Sequence, residues 1–128
     1  MAALEKNDEK AGKTKLFITL NDEWYYAVQY RRKRWEGRRV TDKTKLFKTG
    51  DVLVIGHHTK KDLPHLRRTI GRIRPYGTYR LALGELPMEE VLPSAGVVRT
   101  IDEGCKIYEQ YVSLTTQVSD GVFMIELL

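Results

Sequence analysis

Hydrophobic residues fall in short, separated runs whose length and composition point to strands. Lys15-Leu16-Phe17-Ile18-Thr19-Leu20 is rich in strand formers, Val52-Leu53-Val54-Ile55-Gly56 is a continuous apolar run of strand length, and Val122-Phe123-Met124-Ile125-Glu126-Leu127 predicts a final strand. The middle run has no polar position to mark a wet face, which predicts the most buried strand. After the first run, Asn21 or Asp22 offers an N-cap for a helix through Tyr30. Trp24, Ala27, Val28 and Arg31 recur there at spacings of three and four, predicting one stripe packed on the sheet.

Helical periodicity is lost from Lys33 to Val40. Strand alternation there puts Arg34, Glu36 and Arg38 on one side and Trp35, Gly37 and Arg39 on the other, so that arginines flank Glu36. Lys48-Thr49-Gly50-Asp51 reads as a turn in which Gly50 is free to take a positive φ. Arg67 to Arg74 is a further strand, and Arg68, Arg72 and Arg74 share a parity that predicts a second cationic row. The turn Pro75-Tyr76-Gly77-Thr78-Tyr79 then sets Tyr76 and Tyr79 beside those arginines, a combination suited to stacking on unpaired bases and equally to two tyrosines packing on a turn. Leu81 to Leu92, broken by Gly84 and Pro87 and followed by Pro93, predicts short helical turns and loop. Thr100 caps a helix through Tyr111 with Glu103 as its capping-box partner, and Cys105 shares a face with Ile101 and Tyr108, as a core thiol does. Residues 1 to about 13 hold almost nothing apolar and read as a disordered tail, leaving 14 to 128 as one domain.

Composition adds the electrostatic picture. A chain of 128 residues with 41% hydrophobic and 30% charged residues is a single globular domain, and no apolar run approaches the roughly 18 residues that span a bilayer. The start lacks the apolar segment of a secretory signal, and a lone cysteine forms no intramolecular disulfide, so an intracellular protein is expected, cytoplasmic or nuclear. Residues 1 to 30 hold four Lys/Arg and five Asp/Glu, residues 31 to 80 sixteen and four, and residues 81 to 128 two and eight. The net charges of −1, +12 and −6 predict a basic face and an acidic face. The densest segment is Arg31-Arg32-Lys33-Arg34-Trp35-Glu36-Gly37-Arg38-Arg39, six cations and one carboxylate in nine residues. Such a run is either a solvated face or a site for a polyanion. Nucleic acid is the commonest polyanion and an anionic membrane surface its main rival.

Catalytic motifs are sparse. The sequence holds no G-x-S-x-G, no P-loop and no G-x-G-x-x-G, which removes support for hydrolase, nucleotide triphosphatase and dinucleotide readings. His57, His58 and His65 with the remote Cys105 make no zinc spacing, so no metal and no cofactor is expected, and His57 and His58 read as exposed residues after a strand. A catalytic role rests on Lys33 and Glu36 alone.

The succession of elements, with Lys33, Glu36 and Arg38 between the first helix and second strand and Gly50-Asp51 leading into an apolar strand, resembles an ASCH domain of the PUA-like superfamily over residues 15 to 128. Members carry G-x-K-x-x-E-x-R at that place; Arg31 stands where they have the glycine, and Arg34 where a small threonine is usual. Ile107-Tyr108 falls where the family has an I-Y pair. The stretch Phe47 to Leu53 is also similar to the bacterial ASCH-type acetylcytidine amidohydrolases, which have a catalytic lysine at the position of Lys33 and threonine at that of Glu36. The resemblance implies a small α+β fold, a closed or nearly closed β-barrel with helices packed at its rim and a cleft lined by residues 31 to 39. It implies RNA binding, as the +12 middle segment does independently, to single strands or loops and without a membrane; the residues read as the interface are Arg31, Arg32, Lys33, Arg34, Trp35, Glu36, Arg38, Arg39, Arg68, Arg72, Arg74, Tyr76 and Tyr79. The alternative is an amidohydrolase of an acylated cytidine-type nucleoside with Lys33 as nucleophile or base, and a third reading is a scaffold whose acidic face binds protein.

Overall fold

A computed structural model describes residues 15–94, 97 and 99–128. The tail predicted over 1 to 13 lies outside the described residues. Five strands form one sheet: β1 (Lys15–Leu20), β2 (Trp35–Arg39), β3 (Val52–His57), β4 (Leu66–Tyr76) and β5 (Val122–Leu127). Their spatial order is β1-β3-β4-β5-β2. β1 runs parallel to β3, and every other neighbouring pair is antiparallel.

β4 is the hinge of the sheet. Its first residues, Leu66 to Thr69, pair with β3, and its remainder, from Ile70 to Tyr76, pairs with β5. Between Ile70 and Ile73 the ladder slips by one residue, a bulge that bends and twists the strand. Gly71 sits in this bulge because a β-carbon there would lie 2.5 Å from Glu126 Oε1, the oxygen that accepts the Arg72 backbone N–H at 2.9 Å. The bend curls the sheet into a half-barrel whose two edges are β1 and β2.

Among the described residues five α-helices pack around this sheet, α1 (Asp22–Gln29), α2 (Tyr79–Glu85), α3 (Met88–Val91), α4 (Ile101–Glu109) and α5 (Leu114–Asp120), with a 3-10 turn at Thr44–Leu46. Asn21 caps α1 by accepting from Trp24 N–H, and Thr100 with Glu103 forms the full capping box on α4. Leu53, Ile55, Ile70, Val122, Met124 and Ile125 from the sheet are fully buried with Tyr25 and Val28 of α1 and Val91 of α3. Gly50 takes φ 93° in the turn before β3, as its sequence predicts. No helix among the described residues is long and apolar enough to cross a membrane.

Local readings are corrected in several places. His57 is buried at the end of β3, not exposed: its Nδ1 accepts the backbone N–H groups of Thr59 and Lys60, and its Nε2 meets Asp22 Oδ1. Since Nδ1 is an acceptor, the ring proton sits on Nε2 and is donated to Asp22, fastening the turn after β3 to the start of α1. Tyr79 opens α2 behind its Thr78 cap rather than ending a turn. Arg31 lies beyond α1 and is exposed, so it is no part of the buried stripe of Trp24, Ala27 and Val28.

Candidate nucleic-acid interface

The site begins where α1 stops. Arg31 N–H donates to the carbonyl of Val28 at 3.0 Å and Arg32 N–H to that of Ala27 at 2.9 Å, the paired bonds of a Schellman motif. The motif requires a left-handed residue at its turn, and Arg31 takes φ 60° there, the one non-glycine with positive φ among the described residues. The chain reverses there, and two residues on Lys33 points inward.

Lys33 is 3% exposed. Its amine donates to the carbonyl of Val91, lies 3.6 Å from Glu36 Oε1 and sits 5.2 Å from the centroid of a Trp24 ring. Burial holds that amine below the ordinary lysine range, while Glu36 acts in the opposite sense. Glu36, also buried, accepts from Arg38 Nε at 2.7 Å through its other oxygen. Lys33, Glu36 and Arg38 therefore form one continuous chain of opposite charges, as strand alternation predicts for the last two. Arg34 does not flank Glu36; it is exposed, and its charge acts on Glu126 instead.

Two tyrosines floor this chain. The rings of Tyr79 and Tyr108 stack with centroids 3.9 Å apart and planes 4° apart, against the bare backbone of Gly37. A β-carbon at Gly37 would lie 2.9 Å from Tyr108 Oη and 2.9 Å from Tyr79 Cε1. Tyr108 Oη is buried and has no hydrogen-bond partner among the described residues. Burial, with the charge of Glu36 next, pushes both phenols above the ordinary tyrosine range. Trp24 and Tyr108 were absent from the predicted site; the helical spacing that marks them as core hides that they also wall the ion chain.

Two of the three arginines of the predicted second cationic row are paired with carboxylates. Arg72 binds Glu126 through Nε and Nη2, each at 3.2 Å, and covers the ring of Trp35 at 5.3 Å. Arg74 donates to Glu85 at 3.1 Å, and the same carboxylate accepts the Tyr76 hydroxyl at 2.9 Å. Arg39 reaches Asp120 at 4.0 Å, and Arg80 reaches Asp102 at 2.6 Å. The acidic residues of 81 to 128 thus fold onto arginines of the basic segment, and charge polarised along the chain is interleaved in space at these four pairs. Arg68 turns toward α1, donating to Val28 O at 2.9 Å, because the bulge breaks its parity with Arg72 and Arg74. Trp35 and Tyr79 are each 2% exposed, so neither offers a ring face to a base.

Three neighbouring arginines stand at the start of the basic segment. Arg31, Arg32 and Arg34 are exposed, and no carboxylate of the described residues forms an ion pair with any of them. On the other side of α1, its N-terminus meets β3 at an open cleft of about 360 Å³ lined by Asn21, Asp22, Glu23, His57, His58 and Thr59. Among the described residues no group of three or more His, Cys, Asp or Glu side chains is placed to hold a metal ion.

No family model matches the chain, and no curated protein matches it. Solved structures do. The crystal structure of hypothetical protein PH0355 is 28% identical, with a TM-score of 0.76 over 89% of this chain and 97% of that one. A protein of Pyrococcus furiosus, solved by solution NMR, is 27% identical with a TM-score of 0.69 over 89% of this chain and 96% of its own. The α+β half-barrel is thus shared with both over nearly their whole lengths.

Proposed function

We propose that the chain is an RNA-binding domain of the ASCH type in the PUA-like superfamily, gripping phosphates with Arg31, Arg32 and Arg34. The observation that carries this reading is their isolation: they are exposed without carboxylate partners, while Arg39, Arg72, Arg74 and Arg80 have them. Cations left unpaired against water at one protein end attract a polyanion and release its counterions on binding. The ASCH resemblance gains support from the turn itself, since the position where the family has glycine is the one that takes φ 60°. The ion chain of Lys33, Glu36 and Arg38 adjoins these arginines in the sequence and fixes the strand that follows them.

The test is binding of single-stranded RNA across a salt series. Three phosphate contacts give a log–log slope near about −2 on single strands. Binding that is absent at low salt, or that does not weaken with salt, overturns the reading.

One observation favours the amidohydrolase alternative: burial lowers the proton affinity of Lys33 beside a carboxylate, as a nucleophilic or basic lysine needs. Against it, the amine is already committed to Val91 O and Glu36. Turnover of an acylated cytidine, abolished in Lys33→Ala while RNA affinity is unchanged, would promote that reading above the first.

A further inference from the structure

Resting on the RNA reading above, we propose that Tyr30 and Arg31 form a clamp for one unpaired nucleotide at the C-terminal end of α1, the Tyr30 ring stacking on the base while Arg31 takes the adjoining phosphate. Tyr30 is the C-cap residue of α1 and is 68% exposed. A large aromatic ring left in water beside three unpaired arginines is the composition of a stacking platform in an electrostatic groove.

Arg31 supplies the second, independent argument. Both hydrogen bonds of the turn it occupies are made by backbone, so the fold does not require its side chain. The left-handed conformation is one that a β-carbon disfavours and that glycine adopts freely. An arginine stands where the backbone conformation favours glycine, and its guanidinium pairs with no described carboxylate. Its charge instead bears on Arg68, whose guanidinium is anchored on Val28 O at 2.9 Å, the same carbonyl that Arg31 N–H uses. The Arg68 guanidinium and the Arg31 backbone thus share one acceptor at the C-terminal end of α1, whose partial negative charge favours cations there. Backbone strain at an exposed position fits a binding role.

The experiment compares the wild type with Tyr30→Ala, Tyr30→Trp, Arg31→Gly and Arg32→Ala, measuring anisotropy of a labelled mixed-sequence single-stranded RNA and of its duplex, together with the melting temperature of each protein. Tyr30→Ala is expected to weaken the single strand about 5- to 150-fold and leave the duplex unchanged, and Tyr30→Trp to restore the loss. Arg31→Gly is expected to weaken both RNAs while leaving the melting temperature unchanged or higher. Equal loss on single strand and duplex in Tyr30→Ala, or a lower melting temperature in Arg31→Gly, overturns the clamp. If Arg32→Ala weakens binding while Tyr30→Ala and Arg31→Gly do not, the clamp falls and the RNA reading survives. If the wild type binds neither RNA at low salt, both fall together.

Discussion

Arg38 on β2 donates through Nη2 to the carbonyl of Thr19 on β1 at 3.1 Å, so a single side chain joins the two edges of the sheet. The half-barrel is closed there by a guanidinium rather than by a strand ladder. Because the same group holds Glu36 at 2.7 Å, closure of the fold and assembly of the buried ion chain are one event.

Arg38→Ala is accordingly expected to lower stability by about 2 to 3 kcal/mol, since it strips the buried Glu36 of its closest partner and releases the edge. Urea unfolding measures the loss, and hydrogen exchange should show it concentrated in β1 and β2. Arg38→Lys keeps the charge but not both bonds, and should recover only part of the stability.

Gly37 and Tyr108 make a reciprocal pair. Gly37→Ala drives a methyl to 2.9 Å from Tyr108 Oη and 3.1 Å from Met124 Sδ, and should cost about 1 to 3 kcal/mol. Tyr108→Phe removes a buried hydroxyl that has no partner among the described residues, and should be neutral or stabilising by up to about 1 kcal/mol. The double variant should be more stable than the sum of the two single changes implies. Strict additivity would show that the phenol oxygen is not the obstacle.

Alkali should unfold the domain through the stacked tyrosines. Their phenols are held above the ordinary range in the fold, while in the unfolded chain they ionise near about 10. Above that value the unfolded chain releases protons that the native state retains, so stability falls as pH rises. Lys33 works in the other direction: the unfolded amine binds its proton more readily than the buried one, and stability rises with pH until the ordinary lysine value is passed. Tyrosinate absorbance should show Tyr79 and Tyr108 titrating only with unfolding, and Tyr79→Phe with Tyr108→Phe should blunt the alkaline loss.

Charge removal should separate the two arginine groups. Arg72→Ala and Arg74→Ala, whose partners are Glu126 and Glu85, are expected to change RNA affinity by less than about twofold, the scale of surface pairs. Replacing Arg31, Arg32 and Arg34 together should abolish binding at moderate salt, each lost contact reducing the salt slope by about 0.7. Equal losses from the two groups would place the interface along β4.

The elements whose signals are local were legible from residues alone. β1, β3 and β5 follow from apolar runs, α1 and α4 from their caps, and the Gly50 turn from its need for positive φ. α5 was missed because Thr115, Thr116 and Val118 are weak helix formers and the helix leaves Leu114 and Val118 exposed; Ser113 at its cap and Gly121 beyond its end mark it. Parity along β4 failed at Gly71, since a one-residue bulge reverses every later side chain. Strand alternation brought Glu36 and Arg38 together and the family resemblance added Lys33, but the reach of Arg38 to Thr19 is a contact between residues that no local pattern connects.

The pairing of β2 also sets a timetable for synthesis. Trp35 to Arg39 hydrogen-bond to Val122 to Glu126 as their ladder partner, so the basic strand emerges from the ribosome long before the strand that docks it. Until then Lys33 and Glu36 have no roof or floor, and six cations hang on a growing chain beside ribosomal RNA. Folding of this domain is completed from its far end, and until β5 emerges the basic segment is a polycation without the strand that orders it.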